Sequence, residues 1–269
     1  MIYDCHLHTE FSGDSEASVC SQIERAISLG MKEMTITDHH DYDTDFCGID
    51  FRLDLPAYLD ALESLRERYR SQIRINLGVE LGLQNHLEDY LNEFCRQWSP
   101  RLDFIIGSSH YLRQMDPYNR DYWETLGEKG GLEEFFRISL ERVQRFCHLF
   151  DSFGHLDYAV RYAPHTTQFY SYSELSSLID PLLRCLIESG TALECNTAGY
   201  RYGLNQPNPS PEILRRYREL GGELITIGSD SHKPDNLGQD FSLCRELLLE
   251  LGFRYYAVYH AHKPEMIPL

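Results

Sequence analysis

Short apolar or β-branched runs recur along the chain, each followed by a polar loop and then by a stretch with apolar residues three and four apart. Ile2 to His6, Glu33 to Thr37, Ile73 to Val79, Leu102 to Ser108, Ser152 to His155, Ala192 to Asn196 and Glu223 to Gly228 read as strands, with Tyr255 to Tyr259 as a weaker eighth. Between them, Val19, Ile23, Ala26 and Ile27, then Tyr58, Leu62, Leu65 and Tyr69, then Phe136, Leu140, Val143 and Cys147 each mark one face of a helix. Gly30, Gly190, Gly221 and Gly252 stand where a left-handed helix C-cap favours glycine. The interval Met115 to Gly131 carries Pro117, Gly127, Gly130 and Gly131 without a clear period, and is expected to be a surface loop or lid. Alternating strands and helices predict an α/β fold. No repeat or linker interrupts the pattern, so a single domain over residues 1–269 is expected.

The polar residues that follow these runs carry the chemistry. Six of the seven stronger strands end in metal-capable side chains: Asp4-Cys5-His6-Leu7-His8, Asp38-His39-His40, Glu80, Ser109-His110, Gly154-His155-Leu156-Asp157 and Asp230-Ser231-His232. In an α/β barrel the strand C-termini converge on one face, so these distant segments can meet there. His6 and His8 are two apart, which in an extended segment sends both imidazoles to the same side, and Asp230 and His232 repeat the spacing. One strand-end histidine or aspartate is ordinarily a cap or a hydrogen-bonding core residue, but a whole series of them has no such common explanation. Imidazoles mixed with carboxylates suit zinc, manganese, iron or cobalt, and carboxylates can bridge two ions. The eight cysteines are scattered without a C-x-x-C pair, so a thiolate site is not expected.

With these motifs in this order, the chain from His6 to His232 resembles the polymerase and histidinol phosphatase (PHP) superfamily. The resemblance implies a distorted (β/α)7 barrel with up to three divalent ions at the strand C-terminal ends. Carried over motif by motif, His6, His8, Glu80 and Asp230 would ligate a first ion, with Glu80 bridging to a second held by His110 and His155. Asp14, His39 and His232 would hold a third; many members have histidine where Asp14 stands. The implied activity is hydrolysis of L-histidinol phosphate in histidine biosynthesis, by attack of a metal-bridging hydroxide on phosphorus. The alternatives are another phosphoesterase of the family acting on a small nucleotide or other phosphoester, and a metal-binding protein without turnover.

Around the ions, His40 is free to contact phosphate or donate a proton if His39 ligates, and is placed with Asp230 among the catalytic residues. Arg161 and Arg201, each following a barrel strand, could close a guanidinium fork on a phosphate. Asp4 and Asp38, beside ligands in strand ends, are expected to orient imidazoles. Glu10, Asp157 and the Met115 to Gly131 interval, with Tyr111, Tyr118 and Trp123 as wall residues, are candidates for substrate selection. His86, His148, His165, His260 and His262 match no motif and are read as structural or solvated.

A formal net charge of −17, without a Lys/Arg run, argues against nucleic acid as a partner and points to a small phosphate monoester bound through cations. No stretch approaches the ~18 uninterrupted apolar residues of a membrane span, and the first residues do not read as a signal peptide. A cytoplasmic protein with reduced cysteines is therefore expected.

Overall fold

The computed structural model describes residues 2–165 and 169–269. Its parallel strands are β1 (Glu33–Ile36), β2 (His39–His40), β3 (Arg74–Gly82), β4 (Phe104–Ser108), β5 (Ser152–Phe153), β6 (Ala192–Asn196) and β7 (Ile225–Gly228). They pair in the order β1-β3-β4-β5-β6-β7, and β2 continues the pairing of β1 along β3. The segment from Asp4 to His8 closes this curled sheet. On one side the Cys5 and Asp230 amides donate across to Ile227 O (3.0 Å) and His6 O (2.8 Å). On the other, the Thr35 and Thr37 amides donate to Asp4 O (2.9 Å) and Leu7 O (3.0 Å). The result is a distorted seven-membered α/β barrel. The segment expected as a strand over Ile2 to His6 contributes only the isolated bridges Asp4 to Met34 and Leu7 to Ser231, because its pairing alternates between the two edges.

Helices coat the barrel with the faces the sequence pattern predicts. Val19, Ile23 and Ala26 of α1 (Val19–Ser28) are buried, as are Tyr58, Leu62 and Tyr69 of α2 (Leu55–Tyr69). Their first turns are capped by Ser18, which accepts from the Ser21 amide, and Asp54, which accepts from the Ala57 amide. Gly30, Gly190, Gly221 and Gly252 all have positive φ, between 73° and 96°.

One expectation needs correction. The interval Met115 to Gly131 is largely helical, with α4 (Arg120–Leu126) and the start of α5 (Glu128–Phe146) inside it. Gly130 and Gly131 lie within α5, and a Cβ on Gly131 would sit 3.0 Å from the rings of Tyr122 and Trp123, so close helix packing replaces the expected loop. The eighth run forms β8 (Tyr255–His260), which pairs antiparallel with β9 (Lys263–Pro268) in a hairpin outside the barrel sheet. This hairpin docks under the N-terminal ends of the strands. His260 Nε2 reaches Glu33 Oε1 at 2.5 Å, and His262 Nδ1 reaches Asp151 Oδ2 at 2.8 Å.

Candidate active site

The opposite end of the barrel gathers the nine expected ligands, with five imidazoles converging on the buried carboxylate of one of them, Glu80. Glu80, near the end of β3, is fully buried, and its Oε2 lies 3.3 Å from His6 Nε2, 3.5 Å from His8 Nε2 and 2.9 Å from His39 Nδ1. Its Oε1 lies 3.1 Å from His110 Nε2 and 2.9 Å from His155 Nε2. Asp230 Oδ1 stands 3.8 Å from His6 Nε2 and 3.4 Å from His8 Nε2. On the outer side, Asp14 Oδ2 is 3.2 Å from His232 Nε2 and 3.8 Å from His39 Nε2. Asp230 is held in the left-handed region at φ 53°, where aspartate is among the few residues tolerated and where functional residues concentrate.

The arrangement fits divalent cations. His6 Nε2 and His8 Nε2 face each other at 3.1 Å, close to the roughly 3.3 Å that separates two nitrogens on one tetrahedral ion. Glu80 Oε2 and His155 Nδ1 are buried without a hydrogen-bond partner, a state that buried polar atoms rarely keep. Burial opposes the charged form of every group here, yet Glu194, Glu80 and Asp230 hold the His6 pKa well above the usual histidine value. Against the same burial, His6, His110 and His39 hold Glu80 well below the carboxylate range, and His6 and Arg161 do so for Asp230. His110, buried but facing Asp41 and Glu80, is pushed up to about 9. Protons held this way are the ones a bound cation displaces.

A family description of the PHP domain matches residues 4–198. The chain belongs to the PHP domain family. It is 31% identical over 262 residues to a histidinol-phosphatase of Lactococcus lactis, covering 97% of this chain and 95% of that one. It is 33% identical over 245 residues to a probable histidinol-phosphatase of Clostridium acetobutylicum, covering 90% of each. Its fold superposes with a TM-score of 0.90, at 29% identity and 98% coverage of both chains, on the L. lactis histidinol phosphate phosphatase solved with zinc, L-histidinol and phosphate.

Behind the expected ligands stand residues that the sequence pattern did not single out. Glu194, on β6, places Oε1 2.6 Å from His6 Nδ1. Asp41 places Oδ1 3.0 Å from His110 Nδ1 and Oδ2 3.6 Å from His39 Nδ1; despite its burial, His110 and His39 lower it to about 2. Asp38 and Asp4, expected to orient imidazoles, do not touch them. Asp38 accepts from the Thr9 amide and from Ser12 Oγ, which in turn lies 3.1 Å from His8 Nδ1, so its influence passes through a hydroxyl. Asp4 accepts from the His6, Ser229 and Gly238 amides and fixes backbone instead.

Above the cluster opens a cavity of about 590 Å³, within the usual range for small-molecule sites. Both predicted arginines line it. Arg161 is clamped by Asp230 Oδ2, Asn196 Oδ1 and Asn208 Oδ1, each at 2.9 Å, and lies over the rings of Tyr158 and Tyr202. Arg201 donates through Nη2 to Ser229 O and Asp230 O, while its buried Nη1 has no protein partner. Asp116, Tyr111, Tyr118, Tyr158, Tyr162 and Tyr202 supply much of the remaining wall.

His40 is not in this cavity. Its neighbour His39 points into the barrel, so in the extended pair His40 points outward, where its ring stacks on Phe94. Both its nitrogens are engaged: Nδ1 accepts from the Leu53 amide at 3.0 Å, and Nε2 lies 2.7 Å from the Tyr90 hydroxyl. Burial lowers its pKa to about 4, as expected of a neutral packing residue. Three further candidates also fall outside the cavity lining. Trp123 is buried and donates to Pro117 O, Asp157 is buried and accepts from Asn208, Ser210 and Tyr170, and Glu10 is exposed. The five histidines that match no motif each have a partner on the surface or under the barrel, such as Asp43 for His86 and Glu128 for His165.

Proposed function

We propose that this protein hydrolyses L-histidinol phosphate to L-histidinol and phosphate, using three divalent ions drawn from zinc, manganese, iron or cobalt. His6, His8, Glu80 and Asp230 would hold the first, Glu80, His110 and His155 the second, and Asp14, His39 and His232 the third. The observation that carries this reading is the convergence of five of these imidazoles on the Glu80 carboxylate, beneath a cavity lined by His39, His110, His155, Asp230 and two arginines. The substrate follows from the L. lactis relative, which shares the fold over nearly its whole length and was solved with the two products of that reaction.

When bound, the ions supply an activated water and positive charge for the phosphoryl oxygens. The chain's own residues do the rest. Arg201 Nη1, buried and unpartnered, is placed to donate to a phosphate oxygen, and its Nη2 contacts to Ser229 O and Asp230 O fix its direction. Arg161 adds a fixed positive charge beside Asp230. Because Asp230 stays ionised, it can accept a hydrogen bond from the attacking water and orient it, without storing the proton. The leaving alcohol carries an ammonium and an imidazole, for which Asp116 and the faces of Tyr118 and Tyr162 offer a carboxylate and ring surfaces. No helix among the described residues is long and apolar enough to cross a membrane. The eight free thiols suit a cytoplasmic enzyme.

Phosphate release by the zinc- or manganese-loaded protein tests the substrate. A kcat/KM for L-histidinol phosphate about a hundredfold above that for an aryl phosphate, about 2.7 kcal/mol of extra transition-state stabilisation, is expected. Equal rates on both esters would leave a general phosphoesterase and refute the substrate.

A further inference from the structure

Beneath the ligands, Glu194 occupies a slot made for a carboxylate. It projects from β6 into the barrel with only 1% of its surface exposed. Gly228 leaves it room: a Cβ there would sit 2.5 Å from Glu194 Oε1 and 2.3 Å from His6 Cβ. Three donors point at its two oxygens. Oε1 faces His6 Nδ1 at 2.6 Å, while Oε2 accepts from the His155 amide at 2.7 Å and from Asn196 Nδ2 at 3.1 Å. One side chain thus touches a residue of the first proposed ion position and the backbone of a residue of the second.

We infer that Glu194 is a positioning residue for both ion positions: it holds the His6 proton on Nδ1, so that the Nε2 lone pair faces the metal, and it anchors the backbone that carries His155. This rests on the proposed metal cluster. A histidine ligand generally needs such a partner on its second nitrogen to fix tautomer and ring angle, and losing the partner typically weakens metal binding 10–100-fold. The slot is specific for an acceptor-only group. Glutamine has one acceptor oxygen, so Glu194→Gln must turn its amide nitrogen toward either the His6 Nδ1 proton or the His155 and Asn196 donors.

Zinc occupancy measured by elemental analysis across a chelator-buffered series of free zinc, on parent and Glu194→Gln protein, provides the test. The parent is expected to load three ions, and the variant to lose roughly 10–100-fold in affinity for at least one. A parent that loads no zinc would overturn the cluster and this inference together; a parent that loads, with an identical variant curve, would overturn the role of Glu194 alone. Should the variant fail to fold, nitrogen NMR of histidine-labelled, zinc-loaded parent decides the matter. A proton on His6 Nδ1 is expected, and a proton on Nε2 would refute the inference.

Discussion

Both ends of this barrel pair histidines with buried or half-buried carboxylates, yet the two ends solve different problems. Under the strand N-termini the pairs are closed. His260 Nε2 meets Glu33, which also accepts from Asn76, and His262 meets Asp151 through Nδ1 and Ser99 O through Nε2. Each imidazole there has its own partners, and the hairpin is latched to the barrel. At the strand C-termini the imidazoles of His6, His8, His39, His110 and His155 instead aim at one carboxylate, and atoms such as Glu80 Oε2 keep no hydrogen bond. Counting histidines and acids does not separate the two ends, whereas convergence with incomplete hydrogen bonding does. His40, though adjacent to His39, belongs with the closed pairs.

The largest expected effect falls on the convergent end. His6→Ala should lower kcat/KM by at least about a thousandfold, roughly 4 kcal/mol, while circular dichroism shows the fold retained. Near-parental kinetics would break the distinction outright. His40 sharpens it through pH. Because its folded pKa of about 4 lies below the usual histidine value, the unfolded chain takes up the proton first as the solution is acidified. Its contribution to stability is therefore complete above about pH 6.5 and lost between there and about pH 4, by up to roughly 3 kcal/mol. Denaturant melts of His40→Gln should show a flatter pH dependence over that window, and an unchanged slope would count against the buried neutral ring.

Arg201→Ala is expected to cost about 2 kcal/mol in kcat/KM with full metal content, since it removes a charged donor and no ligand. Unchanged kcat/KM would return Arg201 to a purely structural role. The smallest effects belong to the closed end. His260→Ala should leave kcat/KM within about twofold while lowering stability by about 1 kcal/mol in equilibrium unfolding. His262 adds a signed pH effect: its hydrogen bond to Asp151 raises its pKa, so its stabilisation is complete below the unfolded value and is lost as pH rises through the folded one. That is the opposite direction to His40.

Much of the candidate site is legible in the sequence because every proposed ligand but Asp14 follows an apolar run, and a barrel brings strand ends together whatever their separation along the chain. What is not legible depends on which way a side chain points. His39 and His40 are equivalent as letters, but the two-residue period of an extended segment sends only one of them into the barrel. Glu194 lies inside an apolar strand and Asp41 in a run of charged residues, so neither stands out until His6 and His110 are seen against them. The Met115 to Gly131 interval misleads for a different reason. Gly131 serves close packing of α5 on Tyr122 and Trp123, which a one-dimensional reading takes for a loop signal.

The most direct test of the contrast between the two ends is anomalous diffraction from crystals of zinc-loaded protein. Three peaks clustered around Glu80, within bonding distance of His6, His8, Asp14, His39, His110, His155, Asp230 and His232, with none beside His40, His260 or His262, are the expected result. A cluster without peaks, or an ion between His260 and Glu33, would contradict it.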